Sequence, residues 1–198
     1  MNQRRVIEIA GVTLGWTSLL VQFYIMQENS LTDSFETTIR FFSFFTILSN
    51  LAVVLCFSSL FFNVLPFFKS FKIMTAIAVY ISIVAIVYNT VLRFLWEPKG
   101  LQKIVDEFLH VIIPILFVYY WFKSDLNEKL NYKLLWKILI FPAIYLIFVL
   151  IRGNFSAYYP YPFINVSTIG YSQTIVNAIL VVVAFIIVSL AYIRISRR

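Results

Sequence analysis

Six long apolar stretches restrict the folds that this chain can adopt. Each runs for roughly 18 to 25 residues, the length that an α-helix needs to cross the hydrocarbon core of a bilayer. Their approximate bounds are Val6 to Met26, Phe41 to Phe62, Ile73 to Leu95, Ile104 to Phe122, Leu134 to Ile151 and Tyr171 to Ile195. Because 61% of the 198 residues are hydrophobic and 13% are charged, a water-soluble globule of this size could not bury its apolar surface. We therefore predict an all-α, polytopic membrane protein with six transmembrane helices.

The basic residues predict how these helices are oriented. Six crossings place both termini on one side of the membrane, and with the termini inside, eleven of the 16 Lys and Arg residues fall on the inner face. The positive-inside rule then favours an N-in, C-in arrangement. Basic flanks on the inner face also account for the net charge of +7, because they attract anionic lipid headgroups. We therefore expect membrane lipids, and no nucleic acid, as partners. The connections are short, so we predict that residues 1–198 form a single six-helix membrane domain.

Metal and cofactor chemistry have little support in the sequence. The one cysteine, Cys56, falls in the middle of the second stretch, so no disulfide framework, CxxC motif or Cys/His metal cluster is expected. The five glycines do not have the spacing of a phosphate-binding or dinucleotide-binding loop. We expect no metal and no cofactor.

The first candidate for a functional residue is His110, the only histidine of the chain. It lies about six residues inside the fourth apolar stretch, where an ionisable side chain is expensive to keep. Thr46, Asn89 and Asn177 also lie about six residues inside their own stretches, counted from the membrane face that is nearer to His110. At helical rise this corresponds to a depth of about 9 Å. Four helices therefore offer polar side chains in one layer, near the outer face of the predicted arrangement.

Helical spacing places further polar residues on the same helix faces. Residues three or four positions apart are Thr46 with Asn50, Asn89 with Arg93, and His110 with Asp106 and Glu107. Facing lipid, an amide or an imidazole would stay unsatisfied at a cost of several kcal/mol. We therefore expect these faces to point into the helix bundle or into a wet cavity.

Thr46 and His110 fit the two central roles of nucleophilic catalysis. A threonine hydroxyl needs a base within hydrogen-bond reach, and an imidazole serves as that base near neutral pH. A carboxylate of Glu107 or Asp106, one turn away, could orient the imidazole. The alternative for Thr46 is a simple hydrogen bond back to the carbonyl one turn earlier.

Four other residues could complete such a site. Asn50 or Asn89 could donate to a developing oxyanion, unless these amides only hold helices together. Arg93 and Arg152, near the mouth, could bind a substrate carboxylate. The matching reaction is acyl transfer to water from an ester whose tails partition into the bilayer.

Two other classes of function remain open at this stage. In a small proton-coupled transporter, His110, Asp106, Glu107 and Arg93 would form a proton relay. In a non-catalytic, lipid-binding scaffold, the polar layer would only fix helix packing.

Three sequence blocks carry a resemblance to a known family. They are FFTILSN (Phe44 to Asn50), NTVLRFLWEPKGLQKIVDEFLHVIIP (Asn89 to Pro114) and YPYPFINVSTIGY (Tyr159 to Tyr171). In these blocks the chain resembles the bacterial Pr6Pr family of six-span membrane proteins. That family is distantly similar to the animal androgen-induced and androgen-dependent TFPI-regulating proteins.

The resemblance implies an intramembrane threonine hydrolase that cleaves fatty-acid esters of hydroxy fatty acids. It implies a threonine nucleophile at Thr46, within FFTILSN, and a histidine at His110, within DEFLH. On this basis we expect a lipid ester hydrolase of the bacterial cell membrane, without a cofactor and with its active site toward the outer leaflet.

Overall fold

A computed structural model of the chain describes residues 2–95, 97–124 and 128–197. Trp96, in the second sequence block, and Arg198, one of the eleven basic residues assigned to the inner face, lie outside the described residues. Within those ranges all regular structure is helical. Six continuous helical segments within them are long and apolar enough to cross a membrane, which confirms the predicted all-helical class and the number of candidate spans. The N-in, C-in arrangement stays a prediction.

The chain divides into two compact units, one ending at Glu128 and the other beginning at Lys129. The first unit contains α1 (Gln3–Glu28), α2 (Ser34–Phe42), α3 (Phe45–Phe62), α4 (Pro66–Lys69), α5 (Phe71–Thr90), a 3-10 turn (Leu92–Phe94), α6 (Gly100–Glu107), a π-helical turn (Phe108–Ile112) and α7 (Ile113–Lys123). The second contains α8 (Leu134–Ser156), a 3-10 turn (Pro162–Ile164) and α9 (Val166–Ile195). The single six-helix domain stays a prediction.

Four helices of the first unit form a closed ring around its core. α1 and α5 each pack against both α3 and α7. The ring of Phe57 on α3 meets Phe117 and Tyr120 of α7 edge to face, a favourable geometry for buried aromatic pairs. Trp121 of α7 is completely buried and donates a hydrogen bond to Thr75 of α5 at 2.9 Å. This core fixes the helices that carry the site.

Two glycines let α1 approach α3 closely. A Cβ atom at Gly11 would overlap the ring of Phe57, and one at Gly15 would press on the side chain of Val54. The two glycines are four residues apart and so share one face of the helix, a spacing typical of closely packed membrane helices. The α1–α3 contact therefore depends on the absence of side chains at these two positions.

The second apolar stretch does not form one helix, and its spanning helix begins at Phe45, four residues after the approximate start that we predicted. α2 ends at Phe42, and α3 begins at Phe45 after an extended residue, Phe44. The hydroxyl of Ser43 donates to the carbonyl of Ile39 at 2.7 Å, a side-chain bond that competes with the helical pattern. Thr46 consequently lies in the first turn of α3.

Pro114 shapes the fourth spanning segment. Pro114 has no N–H to donate. The carbonyl of His110, its acceptor in an α-helix, and that of Leu109, its acceptor in a π-helical turn, therefore receive no bond from it. The chain forms a wider turn before it, in which the N–H of Ile113 bonds to the carbonyl of Phe108, five residues back. Single π-helical turns of this kind occur frequently at functional sites. This turn carries His110.

In the second unit, α8 packs against α9. α9 is interrupted at Gly170, whose φ of 73° and ψ of 166° suit a glycine. The sequence predicted a start at Tyr171, directly after this break, whereas the helix itself begins at Val166. On α8, Gly153 leaves room for the ring of Tyr159, which a Cβ atom would overlap.

Candidate active site

Thr46 and His110, 64 residues apart in sequence, meet in the first unit. The hydroxyl oxygen of Thr46 lies 3.3 Å from Nε2 of His110, within hydrogen-bond reach. Both residues are buried, with 6% and 8% of their surface exposed. The first turn of α3 presents the hydroxyl, and the π-helical turn presents the imidazole.

The other nitrogen of the imidazole fixes its tautomer. Nδ1 of His110 lies 2.9 Å from the main-chain oxygen of Asp106. A carbonyl oxygen can only accept, so Nδ1 carries the proton and donates it. In the neutral ring Nε2 then has a free lone pair and accepts from the Thr46 hydroxyl. This is the tautomer that a general base needs.

The orienting group differs from the carboxylate that we expected. Side chains of a helix lean toward its N-terminus and carbonyls point toward its C-terminus. The Asp106 carbonyl therefore reaches the imidazole one turn later, while the carboxylate of Glu107 bonds Arg93. That carboxylate pairs with both terminal nitrogens of Arg93, at 2.7 and 2.9 Å.

The Asp106 carboxylate belongs to a chain of polar side chains that reaches α1. It is buried and accepts a hydrogen bond from Gln102 at 2.8 Å. Gln102 also donates to Gln22 of α1 at 2.9 Å. Asp106 thus supports the contact of α6 with α1 through Gln102 and orients His110 through its main chain.

Tyr88, which sequence reasoning missed, covers one face of the imidazole. Its ring is stacked on His110 with centroids 3.9 Å apart and an interplanar angle of 13°. The guanidinium carbon of Arg93 lies 5.1 Å from the centroid of the Tyr88 ring. In a chain with 12 Tyr and 21 Phe, one aromatic residue gives no signal of its own, although Tyr88 directly precedes the predicted Asn89.

The two asparagines expected at an oxyanion bind main-chain carbonyls. The Asn50 amide donates to the carbonyls of Thr46, at 2.9 Å, and Leu109, at 3.1 Å. The Asn89 amide donates to Ala85 at 2.8 Å and, more weakly, to the carbonyl of His110 at 3.5 Å. Both hydrogens of each amide are therefore engaged. Two of the four accepting carbonyls, those of Leu109 and His110, are the ones that cannot receive a helical bond from Pro114.

The remaining candidates lie in the second unit. Arg152 of α8 has its guanidinium carbon 5.2 Å from the centroid of the Tyr158 ring. Asn177 of α9 donates to the carbonyl of Phe163 at 2.8 Å. Each of these contacts is local to that unit.

The described residues contain no group of three or more His, Cys, Asp and Glu side chains that could hold a metal ion. The polar groups collected around His110 instead suit proton transfer and nucleophilic attack. Comparisons of the chain with models of protein families, with curated proteins and with solved structures find no match. The resemblance to the Pr6Pr family thus stays a prediction from the three sequence blocks.

Proposed function

We propose that this chain is an intramembrane threonine hydrolase that cleaves lipid esters. The observation that carries the proposal is the contact between the Thr46 hydroxyl and Nε2 of His110, with Nδ1 held by the Asp106 carbonyl. A buried hydroxyl, an unprotonated nitrogen and a fixed tautomer together make a nucleophile and base pair. Water and a lipid ester would be the substrates, and a carboxylic acid and an alcohol the products.

In the first half-reaction the Thr46 oxygen attacks the ester carbonyl carbon. Its proton passes to Nε2 of His110 as the new C–O bond forms. When the tetrahedral intermediate collapses, the bond to the leaving alcohol breaks and the alcohol takes that proton from Nε2. The product is an ester between the acyl group and Thr46.

The second half-reaction repeats these roles with water. Nε2 of His110 accepts a proton from water as the water oxygen attacks the acyl carbon. Collapse then returns the proton to the Thr46 oxygen and releases the carboxylic acid. The imidazole ends in its starting tautomer.

The position of Thr46 supports stabilisation of the negative charge that develops in both steps. The first turn of a helix is the positive end of its dipole, and developing oxyanions are stabilised there. This assigns to α3 the task that we expected of Asn50 or Asn89. Those amides instead hold the carbonyls around the pair in place.

The side of the membrane is part of the proposal. At the end of α7 away from His110, Arg4 of α1 donates to the carbonyl of Lys123 at 2.7 Å. The positive-inside rule favours the cytoplasm for this basic end. The pair would then serve the outer leaflet of a bacterial cell membrane.

The test uses purified full-length protein in detergent micelles. Wild type should react with a fluorophosphonate probe and hydrolyse a long-chain fatty-acid ester, and peptide mapping should find the label on Thr46. Thr46→Val and His110→Gln should each lower kcat/KM by at least about a thousandfold, as expected for members of a nucleophile and base pair.

Thr174→Val is the matched control. Thr174 is a buried threonine of α9 whose hydroxyl donates to the Gly170 carbonyl, four residues earlier, at 2.8 Å. This variant should keep wild-type turnover and labelling. If well-folded wild type neither labels nor hydrolyses, or if Thr46→Val and His110→Gln stay fully active, the proposal is wrong.

A further inference from the structure

The ion pair of Arg93 and Glu107 forms the outer part of the site. The side chains of Arg93 and Glu107 are 39% and 35% exposed, whereas Tyr88 and His110 are buried. Arg93 lies over Tyr88, and Tyr88 lies over His110. Exposure thus rises from the imidazole toward Arg93. In the proposed hydrolase, a lipid whose ester lies at Thr46 and whose polar end extends toward the exposed side of this stack reaches the pair.

Arg93 already has a partner for each nitrogen. Its two terminal nitrogens bond the two carboxylate oxygens of Glu107, and Nε donates to Oδ1 of Asn89 at 3.1 Å. Planar, two-point pairing of this kind is the geometry in which arginine normally recognises a carboxylate. The position that a substrate carboxylate would take is occupied by the protein itself.

A substrate carboxylate would therefore bind poorly beside Arg93. To form the same two-point pair with the terminal nitrogens it would have to displace Glu107, which is tethered to the same unit and so has a high effective concentration. To lie beside the pair it would have to tolerate repulsion from Glu107. The nearby Lys103, one turn earlier on α6, is exposed and offers only a screened charge.

We infer that Glu107 is a built-in counter-ion that determines specificity, so that the site prefers ester lipids whose polar end is uncharged. This inference rests on the proposed ester hydrolysis. It refines the substrate class, because the compounds implied by the family resemblance carry a free carboxylate. A hydroxyl or an amide can contact the pair without separating it.

A pair of substrates that differ only in charge tests this inference. The first is a palmitate ester of hydroxystearic acid at a pH at which its carboxyl is ionised, and the second is the same ester with a carboxamide in place of the carboxyl. Wild type should have the higher kcat/KM for the carboxamide. Glu107→Gln frees the Arg93 charge and should shift the ratio toward the carboxylate by about fivefold to tenfold.

Two further variants identify the cause of the shift. Glu36→Gln makes the same change of charge in a matched pair, since Glu36 bonds Arg40 one turn along α2 at 2.8 Å, and it should leave the ratio unchanged. Arg93→Gln combined with Glu107→Gln should restore the preference for the carboxamide. Because each readout is a ratio within one variant, partial loss of folded protein does not affect it.

The outcomes separate this inference from the proposed function. Hydrolysis of both esters with a wild-type preference for the carboxylate, or an unchanged ratio in Glu107→Gln, overturns the inference and leaves the hydrolase standing. A wild type that hydrolyses neither ester overturns both.

Discussion

The imidazole of His110 lies nearly parallel to the phenol ring of Tyr88, with the ring centroids 3.9 Å apart. This contact restricts rotation of the imidazole out of its plane, while the Asp106 carbonyl fixes its direction within the plane. A base held at two points stays aligned with the Thr46 hydroxyl. Tyr88 is therefore a positioning residue in the proposed mechanism.

Two replacements of Tyr88 distinguish the contribution of its ring from that of its hydroxyl. We expect Tyr88→Leu to lower kcat/KM by about tenfold to a hundredfold, because small displacements of catalytic groups cost rates of that order. Tyr88→Phe keeps the stacked ring and should stay within about threefold of wild type. Steady-state kinetics on a long-chain ester checks both. Equal losses in the two variants would assign the effect to the hydroxyl and contradict a stacking role.

Asn50 bonds the two segments that carry the reacting pair, and its loss should be visible at His110. Asn50→Leu removes both amide hydrogens, and we expect kcat to fall by at least about tenfold as the π-helical turn moves relative to α3. Because His110 is the only histidine, selective ¹⁵N-histidine labelling reports its tautomer alone by NMR. The variant should show a mixture of tautomers or a shifted resonance.

Asn177→Leu is the matched control for this experiment. Asn177 also donates to a main-chain carbonyl, that of Phe163, but within the second unit. Its loss should lower the thermal stability of the protein and leave both the His110 resonance and kcat unchanged. An Asn50→Leu variant that loses Tm alone, with a wild-type histidine spectrum, would show that Asn50 only supports the fold.

Replacement of Pro114 should change activity and stability in opposite directions. Pro114→Ala restores an N–H that can bond the carbonyl of His110 and favours a regular α-helix in place of the wider turn. We expect turnover to fall by at least about tenfold while Tm is maintained or raised. Kinetics and a thermal melt on the same preparation test this. Unchanged turnover with a raised Tm would show that the wider turn is not needed for chemistry.

The contact of α1 with α3 should be sensitive to added volume. Gly11→Val forces a side chain into the ring of Phe57, and we expect it to destabilise the protein by about 1 to 3 kcal/mol. Thr13→Val, two residues along on the exposed side of α1, should be close to neutral. A thermal melt in detergent compares the two. Equal melting temperatures would mean that the helices separate readily at Gly11.

The spans could be predicted from the sequence because they follow from the length of each apolar stretch. Thr46 and His110 could be singled out because they are polar residues within such stretches. Long apolar stretches have one solution in a bilayer, and a lone histidine within one of them stands out. Equal depth on separate helices then suggested that Thr46 and His110 could meet, and the structure brings them within 3.3 Å. Their catalytic roles stay predictions.

The remaining features depend on backbone detail that residue patterns do not encode. The break between α2 and α3 has neither glycine nor proline to mark it, so the depth of Thr46 was counted from the wrong start. A proline such as Pro114 indicates a disturbed helix, but the sequence does not show that the disturbance is a wider turn. The orienting atom on His110 belongs to the main chain, which spacing between side chains cannot reveal.

The wider turn also couples catalysis to the packing of the first unit. One extra residue in a turn changes the helical phase of all that follows by about 100° relative to an uninterrupted helix. The directions in which Phe117 and Trp121 enter the core are therefore set by the same few residues that aim His110 at Thr46. In this segment, insertion or deletion of a single residue would alter the chemistry and the interior together.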